Sequence, residues 1–181
     1  NTLIYMGRLP IFYTPYWSKN LDEDNGWHLT PGYGSQLGAY MLAAYRMRWN
    51  EYVRTETHLD YRTERGPAVG QDIGWKDPQG LWGGKLKAYY LNDDDPYDKN
   101  EDPETSLVEE ERYRFHLAHD AVLSDRDYMV ANFHYLSDPD VLEDFFNKEY
   151  RRSPEPENYA SLTHRERGYS ANLLLQPRLN D

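Results

Sequence analysis

The 181 residues contain no cysteine. That excludes thiol catalysis, disulfides and Cys-ligated zinc. No stretch approaches the roughly 18 consecutive apolar residues of a membrane-spanning helix. This leaves a membrane β-barrel open, because its strands need only about 9–11 alternating residues. Positive charge is in short supply: 20 Lys and Arg stand against 31 Asp and Glu, for a net charge of -11. A general nucleic-acid binder needs a basic footprint, so no nucleic-acid partner is expected. Mean hydropathy is -0.96, and Leu, Ile and Val are too sparse for a thick aliphatic core. Such values also mark disordered chains, but those are poor in aromatics, and here aromatics reach 15% with 17 Tyr and 5 Trp. The apolar mass is therefore expected as a thin, Tyr-rich layer over many strands. The first residue is Asn and no signal-peptide pattern follows, so we expect the sequence to be an excerpt of a longer chain at both ends.

What the chain does have is alternation. The run Gly26 to Gly66 reads as three consecutive strands. In the second, Ala39, Met41, Ala43, Tyr45, Met47 and Trp49 alternate with Tyr40, Leu42, Ala44, Arg46 and Arg48. In the third, Val53, Thr55, Thr57, Leu59 and Tyr61 alternate with Tyr52, Arg54, Glu56, His58, Asp60 and Arg62. Successive strand side chains point to opposite faces, so each strand has one apolar and one charged face. For the apolar sets to coincide, the connection near Asn50 must contain an odd number of residues, three or five. A lipid-facing exterior around a hydrated interior gives this pattern, and so does a soluble sheet with one wet face.

The remaining segments fit the same scheme. Thr2–Met6 is a short strand. Leu9–Trp17 is an extended stretch in which Pro10 and Pro15 each remove a backbone donor, which suits an edge, a strand start or a weak pairing. His28–Leu37 is interrupted by Pro31. Strands follow at 68–76, 82–91, 109–122, 127–136, 159–166 and 169–178, about ten in all at a spacing typical of meanders. Ser137-Asp138-Pro139-Asp140 reads as a helix start with an Asp or Ser cap and Pro in the first turn. Val141, Leu142, Phe145 and Phe146 then sit at helical spacing, so one short helix is expected near 139–149. Trp49, Tyr61, Trp75, Tyr89 and Tyr90 are candidate interfacial aromatics.

Chemistry-bearing patterns are weak. Glu56, His58 and Asp60 share a face, but a charged, hydrated wall accounts for them without acid–base catalysis. The six histidines have no metal-ligand spacing, and no serine lies in a G-x-S-x-G context. The acidic segment 92–105 lacks the spacing of a calcium motif and is expected to be a solvated loop. We expect no enzyme, no cofactor and no metal.

Three elements in order resemble a known family. LPIFYTPYW, then GWHLTPGYG, then HYLSDPDVLEDFF are similar to the P-x-F-Y-x-P-Y element, the G-F-x-x-P segment and the S-D-P-then-D-F strand end of the lipopolysaccharide-assembly protein LptD (OstA/Imp) family. The resemblance implies an all-β antiparallel meander forming the N-terminal part of a transmembrane barrel of about 26 strands. Residues 1–8 would end a periplasmic β-jellyroll, and residues 9–181 would begin the barrel. The chain would then carry lipopolysaccharide (LPS) through a lateral gate in the bacterial outer membrane, with an LptE-type lipoprotein plug, an LptA-type jellyroll bridge and membrane lipid as partners. Pro10, Pro15 and Pro31 would weaken pairing at the gate. Arg54, Glu56, His58, Asp60 and Arg62 would face the lumen, and Met41, Tyr45, Val53 and Leu59 the lipid. The family's disulfides have no counterpart here. A secreted polysaccharide-binding sheet and a generic porin-like channel are the other readings.

Overall fold

A computed structural model describes residues 25–96 and 108–179 in full, together with the backbone of Thr2–Met6 (β1) and Leu9–Thr14 (β2). These two strands pair with each other in a sheet of their own. Nine further strands form one antiparallel sheet: β3 (Gly26–Gly34), β4 (Gly38–Arg48), β5 (Val53–Arg62), β6 (Gly66–Lys76), β7 (Trp82–Asn92), β8 (Glu111–Val122), β9 (Asp127–Leu136), β10 (Tyr159–Glu166) and β11 (Tyr169–Leu175). Each pairs with its neighbour in sequence, so the sheet is a pure meander, and its edges are β3 and β11. It is not closed.

The expected strand alternation holds from β4 to β9, whereas β11 is exposed on both faces. Arg48 pairs with Arg54, leaving the five residues 49–53 between them, so odd positions stay opposite odd positions. One outer row runs Leu29, Ala43, Leu59, Val69, Tyr90. The neighbouring inner row runs His28, Ala44, His58, Gly70, Tyr89, Arg114.

A meander sends alternate connections to opposite ends. One end carries the short turns 49–52, 77–81, 123–126 and 167–168; the other carries 35–37, 63–65 and the two long connections, 93–110 and 137–158. The second long connection contains α1 (Val141–Phe145) and α2 (Asn147–Tyr150). Two short helices thus replace the single one expected. The break is at Phe146, whose φ of -128 and ψ of 43 leave the helical region. Asp140 occupies the cap position of α1 without a side-chain cap bond. Asp138 instead accepts the Asp140 N–H and the Ser137 hydroxyl, which fixes the entry turn from outside the helix.

The burial is inverted relative to an oil-drop core. Among the described residues the buried side chains include Asp60, Arg62, Arg65, Asp93, Arg112, Arg114 and His116, while Leu59, Val69 and Leu173 are more than half exposed. The small apolar cluster of Ala68, Tyr89 and Leu91, packed against Phe145 and Phe146, belongs to the charged face.

Candidate functional site

The charged face is organised by the segment 137–150, which folds back onto it from the long-connection end. Two arginines lie at the centre. Arg65, in the turn after β5, donates to both carboxylate oxygens of Asp93, at 2.6 and 2.5 Å, and to Asp144 at 3.1 Å. Arg112, at the start of β8, donates to Asp93 at 3.0 Å, to Asp144 at 2.8 Å and to Asp138 at 3.0 and 2.6 Å. Asp93 is 0% exposed and Arg112 1%. Desolvating such charges costs several kcal/mol each, so the arrangement stands only because nearly every lone pair and N–H is matched. Burial works against the Arg65 charge, but Asp93 and Asp144 outweigh it and hold the guanidinium above its ordinary value. Gly66 makes the turn feasible. Its φ is 77, and a Cβ there would lie 2.5 Å from the Asn92 carbonyl, so any side chain would push the β7 end, and Asp93 with it, away from Arg65.

Phenylalanines close this cluster. The Phe145 ring lies under the guanidinium groups of Arg62, Arg65 and Arg112, at 5.2, 4.8 and 5.2 Å. Phe146 meets Tyr89 edge-on at 5.0 Å, with Arg114 over its face at 3.2 Å. Cation–π contacts of this kind gain strength when water is excluded. Tyr89 donates to Asp60 at 2.6 Å and accepts from Arg62 at 3.0 Å. Its ring lies across Gly70, where a Cβ would come within 2.5 Å. On α2, Glu149 accepts from Lys87 at 2.6 Å and from Arg114 at 2.7 Å. Burial works to raise the Glu149 carboxyl, but those two cations outweigh it and hold it below the usual carboxylate range.

Towards β3 the same face is open. A groove of about 330 Å³ runs from His28, Thr30 and Arg46 to Tyr89 and Phe146. Here Arg46 and Glu56 pair at 3.0 Å with side chains 48% and 27% exposed.

The opposite face is apolar and uncovered among the described residues. Its aromatics sort by end. Trp27, Trp49, Trp75 and Trp82 lie at the short-turn end, and Tyr33, Tyr61, Tyr90, Tyr113 and Tyr135 at the long-connection end. Between them come Leu59, Val69, Ile73, Leu86, Leu117, Phe133 and Met129. The few polar groups on this face bond each other: Thr57 to Gln71 at 2.7 Å, Trp75 to His119 at 3.1 Å and Trp49 to Thr55 at 3.1 Å. Nine strands about 4.8 Å apart and about ten residues long give a face on the order of 1,000 Å², well above the exposed apolar patch of a soluble monomer.

No protein-family model matches the chain, and no curated protein matches it.

The residues singled out from sequence fall as follows. Met41, Tyr45, Val53 and Leu59 share the apolar face, and Arg54, Glu56, His58, Asp60 and Arg62 the charged one. Arg54 is exposed and Glu56 and His58 half-buried, but Asp60 and Arg62 are buried under the helical segment, so this end of the charged face is dry rather than hydrated. Tyr89 is not an interfacial aromatic: its odd position in β7 puts it on the charged face. Asp93 is not part of a solvated loop, because two arginines sequester it; residues 97–107 of the acidic segment lie outside the described residues. Pro10 sits in β2 opposite Tyr5, beside an irregularity in pairing. Pro31 sits in the edge strand β3 opposite Met41. Pro15 lies outside the described residues.

Arg65, Arg112, Arg114, Asp144 and Glu149 are not singled out by the sequence pattern, and Asp138 is singled out only as a helix cap. A signal existed: in a meander the residues flanking alternate turns converge on one end, and these six flank or lie in the connections 63–65, 93–110 and 137–158.

Proposed function

We propose that this chain is part of a bacterial outer-membrane β-barrel that carries LPS to the outer leaflet without breaking or making a covalent bond. The observation that carries the membrane part is the inside-out burial: ion pairs sealed on one face of the sheet, and an apolar face on the other that is uncovered among the described residues and has aromatic rows at both ends. A lipid-spanning barrel needs that distribution, and closure by further strands would satisfy the unpaired edges of β3 and β11. The cargo rests on the three sequence elements resembling the LptD family. Short turns at one end then face the periplasm, and the segment 137–158 enters the lumen from the outside.

Pro31 supports a lateral opening at β3. It has no N–H to give to a neighbouring strand, so pairing along that edge is weaker and opening costs less. LPS acyl chains would leave through the edge into the membrane while the sugars keep to the charged face. An LptE-type lipoprotein would meet the open groove near β3 and β4, and a jellyroll bridge would deliver the lipid from the periplasmic end.

The test is site-specific photocrosslinking in cells that make LPS. A photoreactive side chain replacing Leu29 in β3 should capture LPS, and one replacing Ile73 in the middle of the sheet should capture far less. No LPS at either position overturns the transport reading. Cooperative folding of the purified protein in plain buffer overturns the membrane reading and favours a soluble polysaccharide-binding sheet.

A further inference from the structure

A second cavity, of about 280 Å³, lies on the charged face between β7, β8 and β9 and the segment following α2. It adjoins the groove near β3, with Lys87, Arg114 and Glu149 lining both. Its wall holds Lys85, Lys87, Arg114 and Arg152 against only two carboxylates, Glu149 and Glu157. In a chain of net charge -11, a concave surface with surplus positive charge is out of character with the average and calls for an anion. Glu149 bridges Lys87 and Arg114, and Lys87 also lies 4.0 Å from Asp72. Lys85 and Arg152 form no ion pair among the described residues.

Two polar atoms in the wall are buried without a hydrogen-bond partner: Arg114 Nε and His116 Nδ1. Arg114 is 6% exposed and His116 8%. The chemistry of His116 is set by its neighbours. The Asn132 amide donates to the Glu157 carbonyl at 2.9 Å, which turns its oxygen to His116 Nε2 at 3.0 Å. Nε2 therefore carries the proton, and in the neutral ring Nδ1 offers a lone pair. The pocket thus presents several cationic donors and one buried acceptor. A carboxylate has no use for that acceptor. A phosphomonoester does: its oxygens accept from Lys and Arg, and a hydroxyl of the sugar bearing it, or the P–OH of its monoanion, donates to Nδ1.

We propose that this pocket binds a phosphomonoester, and that the Glu149 carboxylate is the internal anion the ligand displaces from Lys87 and Arg114. A phosphate brings about -1.5 to -2 charges and three acceptor oxygens where Glu149 brings one charge, which matches the surplus from Lys85 and Arg152. Two sources share this chemistry, a phosphorylated saccharide and free phosphate. The volume leaves room beside the phosphate for one sugar ring. Assigning the saccharide to LPS rests on the transport reading above; the anion site does not.

The experiment is titration of the full-length protein, folded in detergent, with N-acetylglucosamine 1-phosphate, inorganic phosphate and unphosphorylated N-acetylglucosamine. Binding is followed by ³¹P NMR and calorimetry. The sugar phosphate should bind and the unphosphorylated sugar should not. Lys85→Ala combined with Arg152→Ala, both at exposed positions, should weaken binding at least tenfold. Glu149→Gln should tighten it several-fold even though it loosens α2 in the ligand-free protein, because it removes the competitor and leaves two cations unpaired; if docking α2 were all that Glu149 does, binding would weaken instead. No binding of either phosphate, or binding indifferent to these substitutions, overturns the site. Equal affinity for both phosphates supports the anion site and overturns its saccharide assignment. Phosphate binding without LPS captured at position 29 sinks the transport reading alone; LPS captured there without phosphate binding sinks this site alone.

Discussion

The two ends of the charged face use the same residue types and differ in what covers them. Near β3 and β4, Arg46 and Glu56 pair in the open. Under α1, Arg65 and Arg112 pair with Asp93, Asp138 and Asp144 out of reach of water. An exposed pair gains little, about 0–1 kcal/mol, because water and salt screen it and two long side chains must be ordered. A buried cluster gives no net gain over well-packed apolar residues, but breaking it is expensive, since the survivors are left charged and dry. The closed end is therefore an all-or-none latch holding the segment 137–150 on the sheet, while the open end is a tolerant, hydrated surface.

The sharpest way to break this contrast is Asp93→Ala. It strips Arg65 of its bidentate partner and Arg112 of one of three, and the expected loss is about 3–5 kcal/mol. Thermal unfolding in detergent should shift accordingly, and the 137–150 amides should exchange faster. An Asp93→Ala protein that melts like its parent would mean the cluster is not the latch.

A smaller effect comes from acid. Glu149 has a folded pKa below its ordinary value of about 4.3. Its contribution is therefore fully present above that ordinary value and is lost as pH falls through the lower folded value. Hydrogen exchange of α2, corrected for intrinsic rates, should stay slow at pH 6 and accelerate in this acidic window. Glu149→Gln should weaken α2 docking at pH 6 and remove its own share of the acid response. An acid response identical in the two proteins would assign it to other carboxylates.

The smallest effect is expected at the open end. Arg46→Ala should cost about 0–1 kcal/mol, and the cost should shrink further with added salt. A loss as large as that of Asp93→Ala would erase the distinction between the two ends.

Much of this architecture was legible in the sequence, for one physical reason: a period of two is read directly from side-chain alternation. It placed Met41 and Leu59 opposite Glu56 and His58, and it required the odd connection that the Arg48–Arg54 pairing contains. The helical spacing of Val141, Leu142 and Phe145 also carried through in α1, where Val141 and Leu142 are buried, but Phe146 interrupts the helix instead of extending it. Composition misled where local character and tertiary fate diverge. Asp93 opens an acidic run and looks solvated, yet its partners come from Arg65 and Arg112, far away in sequence. Tyr89 and Tyr90 look like a pair, yet alternation sends them to opposite faces. The helix start differs for a related reason: Asp140 takes the cap position without a side-chain bond, while Asp138, which also binds Arg112, holds the entry turn through the Asp140 N–H.

The central claim is that the two faces of the sheet meet different solvents; because these 181 residues hold no cysteine, single cysteines introduced among them, with any cysteine elsewhere in the protein replaced, measure it directly. Single substitutions Leu59→Cys, Val69→Cys and Leu173→Cys on the apolar face, and Arg54→Cys and His58→Cys on the charged face, are spin-labelled in the full-length protein reconstituted in lipid vesicles. Collision rates with oxygen and with a water-soluble nickel chelate are then compared. The account predicts high oxygen and low nickel accessibility at positions 59, 69 and 173, and the reverse at position 54, with 58 intermediate. Nickel accessibility at the three apolar-face positions equal to that at 54 would contradict a lipid-facing exterior and return the sheet to water.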